Sequence, residues 1–167
     1  VAKPAQAPDS STPSSKNVTN LAKLIVTESG GLSRVTQTAV GWTVRNRMTR
    51  NGTTEVDRAW HGYQHGKAAT ATALVIAKGI LDGTIPDPTG GATHFYTPKI
   101  MPKEGDDTTG VDVGGGLESV EGVVDDDGKP VKNYRPSFAA TFTEKVVPGV
   151  APAIFKFYQQ PGNGHVR

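Results

Sequence analysis

LAKLIVTESGGLSRVTQTAVGWTVRNRM, residues 21–48, is the stretch from which the rest of the chain is read. Leu21, Leu24, Ile25 and Glu28 recur at spacings of three and four, the signature of one helix face. Thr19 or Asn20 is the expected N-cap. Gly30 or Gly31 ends the helix, since a left-handed residue costs glycine least. Ser33 then caps a second, longer helix over about 34–50, with Val40, Val44 and Met48 on one side and Ala39, Trp42 and Asn46 on another. Asn51-Gly52 stops it.

Upstream, residues 1–17 are Pro, Ser, Ala and Thr without an apolar period and read as a flexible linker. The folded domain is expected over 18–167. Downstream, residues 53–66 show no clear period, and a third, alanine-rich helix is expected over about 67–82. Residues 85–98 read as an ordered loop with a short strand at 94–96. The glycine-rich acidic segment at about 104–128 has few large apolar groups and is expected to be a mobile insertion. Pro136 suits the first turn of a helix over about 137–146. In the stretch 153–159, Phe155 and Phe157 alternate with Ile154, Lys156 and Tyr158, as in a strand or a final helical turn.

At 167 residues the chain suits one domain, and with glycine counted its apolar content supports a core. Neither a long apolar run nor a signal-like start is present, so no membrane span is expected. The absence of cysteine removes thiolate metal sites and cysteine nucleophiles. The net charge of +2 hides a separation. Of 16 acids, 9 lie from Glu104 to Asp127, where no Lys or Arg occurs, leaving 7 against 18 basic residues elsewhere. So basic a body attracts polyanions, among them nucleic acid, anionic lipid and the carboxylate-bearing bacterial wall. Lys and Arg are scattered and no recognition motif appears, which disfavours nucleic acid.

Glu28 shares a face with three aliphatic side chains at the C-terminal end of its helix. The helix dipole and an apolar neighbourhood both favour its protonated form, as a general acid requires. On local features alone, a solvated glutamate at a helix end is the simpler reading. The wider pattern points further: Glu28-Ser29, then Gln37, then Asn46-Arg47, followed by GGATHFYTP from Gly90 to Pro98. This resembles the SleB-type cell-wall hydrolases. In that family a catalytic glutamate closes the first helix, and a Gly-Ala-Thr-His-Phe-Tyr-Asn-Pro loop lies downstream. The resemblance covers about 21–98. Beyond it, Tyr134–Ala139 stands where the family has a Pro-x-Trp-Ala segment, and Phe155–Tyr158 resembles its terminal strand.

The resemblance implies a mainly α, lysozyme-like α+β fold: a helical catalytic core, a small strand and loop region, and the acidic insertion. It also implies cleavage of the β-1,4 bond between N-acetylmuramic acid and N-acetylglucosamine in peptidoglycan, with Glu28 as general acid and base. Ser29, Gln37, Trp60, Tyr63, His94, Phe95, Tyr96 and Tyr158 are the candidate substrate-binding residues. Packing explains Trp60, Tyr63, Phe95 and Tyr96 as well, and a helix-to-helix bond explains Gln37. Asn46 and Arg47 read as structural, fixing loop carbonyls. Leu32 departs from the family, which usually has a second glutamate there. Outside the acidic run, Glu55, Asp57, Asp82, Asp87 and Glu144 are the other carboxylates, and none has a motif behind it. A single-acid, lytic transglycosylase route is therefore attractive beside hydrolysis.

No metal or other cofactor is expected. His61 and His65 are separated by glycines that break a helical alignment, and Asp125–Gly128 lacks calcium-loop spacing. The expected partners are peptidoglycan glycan strands, with an immunity or carrier protein for the acidic run, and the isolated domain is expected to be a monomer. The expected place of action is the periplasm or cell wall, reached by secretion or as part of a larger effector or phage lysin. The competing reading keeps the fold but makes it a non-catalytic wall-binding or phage structural module.

Overall fold

A computed structural model describes residues 12–61 and 66–162. Helix α1 (Ser15–Ser29) opens at Ser14, whose hydroxyl accepts from the Asn17 amide, so it begins more than one turn before the expected Thr19 or Asn20 cap. That extra turn takes residues 15–17 out of the expected linker; residues 1–11 lie outside the described ones. Leu21, Leu24 and Ile25 are buried along one face. The turn to α2 (Arg34–Asn51) uses Gly31, whose φ of 81° is open to glycine at little cost. Ser33 caps α2 as expected, and Gly52 closes it in the left-handed conformation. Gly41, midway along α2, is where three helices meet. A Cβ there would lie 2.6 Å from Ile80 Cδ1 and 2.9 Å from Ile25 Cδ1.

Helix α3 (Val56–Ala59) is a single turn in the region without period, anchored by the buried Val56 and Ala59. Helix α4 (Ala71–Leu81) begins later than residue 67 because Thr70 takes the cap, its hydroxyl accepting from the Ala73 amide. Helices α1, α2 and α4 enclose the main core with Leu21, Val40, Val44, Ile76 and Ile80.

Strand β1 (His94–Tyr96) follows, and the chain ends in β5 (Lys156–Gln159), the strand alternative for that stretch. Between them lie β2 (Leu117–Val124), β3 (Pro130–Tyr134), the single turn α5 (Phe138–Thr141) and β4 (Thr143–Lys145). Strands β1, β5 and β4 form one antiparallel sheet in that order, and β2 with β3 forms a second.

Three expectations are corrected. The chain is an α+β domain with two antiparallel sheets, not a mainly α one. The helix expected over 137–146 shrinks to α5, because the β-branched Thr141 and Thr143 are stiff in a helix and the chain finds a partner in β5. The acidic run is built structure rather than a mobile insertion. Val120 and Val123 are buried, and Asp125 forms the β2–β3 turn by accepting from the Asp127 and Lys129 amides.

Register decides what each face of the three-stranded sheet does. His94 opposes Tyr158, Tyr96 opposes Lys156, and Glu144 opposes Tyr158, so these five side chains share one face. Phe95 and Phe157, also register partners, turn to the other face and join the helical core. Tyr96, Tyr158 and Ala139 form a second, smaller core with Phe138, Phe142 and Met101.

Candidate active site

Glu28 sits in the last turn of α1 with its side chain exposed. The protein around it still desolvates the carboxyl and raises its pKa above the ordinary carboxylate value. Among the described residues it makes no hydrogen bond or ion pair, leaving both oxygens open to a ligand. The neighbouring Thr27 accepts from the Lys67 amide, which brings the chain after residues 62–65 alongside this end of α1. Tyr63, in that segment, lies outside the described residues.

Other candidates near Glu28 in sequence serve the scaffold. Ser29 is buried and its hydroxyl donates to the Ile25 carbonyl at 2.8 Å. Gln37 donates to the Leu32 carbonyl at 2.8 Å, tying α2 to the turn that follows Glu28. Asn46 donates to the Ala92 carbonyl and to Asp87, and Arg47 grips the Thr93 carbonyl with two nitrogens. Both therefore hold carbonyls of the loop leading into β1, a structural role of the kind read for them from the sequence.

The aromatic candidates divide between two places. Trp60 stacks on Phe95, their ring centroids 5.1 Å apart and nearly parallel, and the Arg47 guanidinium lies 4.2 Å from the Trp60 ring. Phe95 also meets Phe155 and Phe157, so it plugs the helical core. On the opposite sheet face, half-buried His94 packs against Phe138 and Phe142, with Nδ1 3.0 Å from the Thr93 hydroxyl. Desolvation, then the charges of Arg47 and Arg50, lower its pKa to about 4, so its imidazole is neutral at pH 7. Tyr96 and Tyr158 are buried and stacked, both with raised pKa values caused first by desolvation. No hydrogen bond, ion pair or ring contact among the described residues joins Glu28 to any of these rings.

Two residues not singled out in the sequence hold this second face together. Glu118, on β2, accepts from the Tyr96 hydroxyl at 2.7 Å and from Lys156 Nζ at 2.8 Å. Its side chain is only 9% exposed, which makes it an anchor rather than solvated charge. The alternation of Lys156 with Tyr158 was the available signal for one half of the pair. Glu118 was hidden among eight other acids.

The remaining carboxylates are largely committed. Glu55 pairs with Arg58, Asp57 with Lys16, Asp82 with Lys78, and Asp87 accepts from Thr89, Gly91 and Asn46. Glu144 is exposed on β4. Leu32 is 39% exposed at the position where the resemblance places an acid. No family model, curated protein or solved structure matches the chain.

Proposed function

We propose that this chain cleaves the glycosidic bond between N-acetylmuramic acid and N-acetylglucosamine in peptidoglycan, with Glu28 as its proton donor. The observation behind the reading is the state of Glu28. A carboxyl at the C-terminal end of a helix, without a hydrogen-bond or ion-pair partner among the described residues and raised in pKa by desolvation, holds its proton to higher pH than an ordinary carboxylate, as a general acid must. The SleB-like pattern around it and the basic charge of the body support the same substrate, an anionic polymer.

In the reaction Glu28 protonates the leaving oxygen as the C1–O bond breaks. The carboxylate then takes a proton from either water or the sugar's own 6-hydroxyl, whose oxygen closes on C1. The second route needs no further carboxylate and yields a 1,6-anhydro sugar. Purified walls should clear in turbidity with the wild-type protein and stay turbid with Glu28→Gln. Exposed Leu32, standing in the place of an acid, favours the non-catalytic wall-binding module as the second reading. Wild-type protein that sediments with walls without clearing them would establish that reading and end the first.

A further inference from the structure

The opposite end of α1 from Glu28 borders a cavity of about 560 Å³. That falls within the roughly 300–1,000 Å³ of small-ligand sites. A cavity of about 40 Å³ beside β4 and β5 and one of about 210 Å³ beside β2 and β5 are smaller. The large one is open to solvent and bordered by the chain before α1, the second half of α2, the loop after it and the end of α4. Its surroundings are fixed by local bonds. Asn17 donates to the Thr54 carbonyl at 2.7 Å and accepts from the Val56 amide at 3.2 Å, clamping the loop to α1. The Thr53 hydroxyl accepts from the Glu55 amide, setting the turn.

The cavity presents an apolar strip and a polar rim. Half-buried Leu81 and Pro13 supply the strip, Met48 being buried in the core, and Ser14 and Thr54 offer hydroxyls beside it. Two cations reach it. Lys16 is 70% exposed and only loosely paired, 3.7 Å from Asp57. Arg45 uses one guanidinium nitrogen on Thr49, leaving Nε and the other amino group without a partner among the described residues. Glu55, the one acid in the lining, is occupied by Arg58 at 2.9 Å. An apolar strip, hydroxyl-bearing walls and an open guanidinium fork match a sugar ring that bears a carboxylate.

We propose that this cavity is a second saccharide site, binding a carboxylate-bearing N-acetyl sugar of a glycan strand with the carboxylate on Arg45. The inference rests on the glycan reading of the function. Lys16 and Glu28 are 12 residues apart on one helix, about 18 Å at 1.5 Å per residue. One polymer chain could thus be held at the cavity while another part of it meets the acid.

The test uses Glu28→Gln protein labelled with ¹⁵N and titrated with the N-acetylglucosamine–N-acetylmuramic acid disaccharide. Amide shifts are expected at Lys16, Asn17, Thr53 and Thr54. Adding Arg45→Ala should weaken that set about tenfold, the loss of one charge-assisted bond, and Thr54→Val should weaken it severalfold. Both variants should leave amide positions in α4 and β5 unchanged, which checks their folding. Absence of shifts at the cavity, or unchanged affinity in the two variants, overturns the proposal. Wall clearing by the wild type separates the two ideas. Clearing without cavity shifts removes this site and keeps the enzyme, whereas cavity shifts without clearing do the reverse.

Discussion

At the scale of single residues, Glu28 and His94 are displaced from their ordinary pKa values in directions that make testable pH effects. Desolvation raises Glu28, so its acid form persists to higher pH, and cleavage should fall as pH climbs through that raised value. A pH–rate profile whose basic limb lies at or below an ordinary carboxylate value would contradict this. His94 moves the other way, from 6.5 to about 4. Between those values the unfolded chain holds more protons than the folded one, so stability should drop as pH falls from 6.5 towards 4. In thermal melts across that range, His94→Gln should flatten the dependence. A curve parallel to wild type would assign the acid sensitivity elsewhere. The direction of the Glu28 shift agrees with the apolar neighbourhood read from the sequence, although its side chain is exposed while Leu21, Leu24 and Ile25 on that face are buried. The lowered histidine was not legible there, since its neighbours Phe138, Phe142, Arg47 and Arg50 come together only in the fold.

At the scale of elements, local periodicity located α1, α2 and α4 but not all their bounds, and Leu21 and Val44 are buried where a 3.6-residue repeat sends them. Strands β2 and β3 escaped because Glu118, Glu121 and Lys132 and two glycine-flanked turns mask the few buried positions, Val120, Val123 and Asn133. What secures that hairpin is a long-range bond from Glu118 to Tyr96 and Lys156, which no window of sequence contains. Glu118→Gln should cost about 1–3 kcal/mol, below the full penalty of a buried pair because Lys156 keeps some solvent contact. A cycle with Tyr96→Phe, read by denaturant unfolding, should show a coupling of at least about 0.5 kcal/mol. Additive losses would mean that the two groups act independently. Ile25→Ala, deep between α1 and α2, should cost about 2–5 kcal/mol by the same measurement.

At the scale of the whole molecule, charge and shape are arranged together. The hairpin and the loop before it concentrate the acids, and the rest of the chain is basic enough to draw in an anionic polymer. Wall association should therefore weaken as salt rises from low ionic strength towards ~0.15 M, where screening shortens to about 8 Å. Salt-independent sedimentation with walls would argue against a charge-driven approach. Removing residues 105–127 would strip Glu118 from Tyr96 and Lys156 and uncover the smaller core, so that deletion should lower the melting temperature. A melt unchanged by the deletion would make the hairpin a mere spacer. Composition revealed the charge separation but read it as loose chain. Register and burial turn it into a wall of the fold.

The most direct trial of Glu28 as proton donor is mass spectrometry of what purified peptidoglycan releases on digestion. Wild-type protein should liberate muropeptides, ending in 1,6-anhydro sugars if the internal hydroxyl closes the ring, and Glu28→Gln should liberate none. Equal release by the variant, or none by the wild type, would contradict the account.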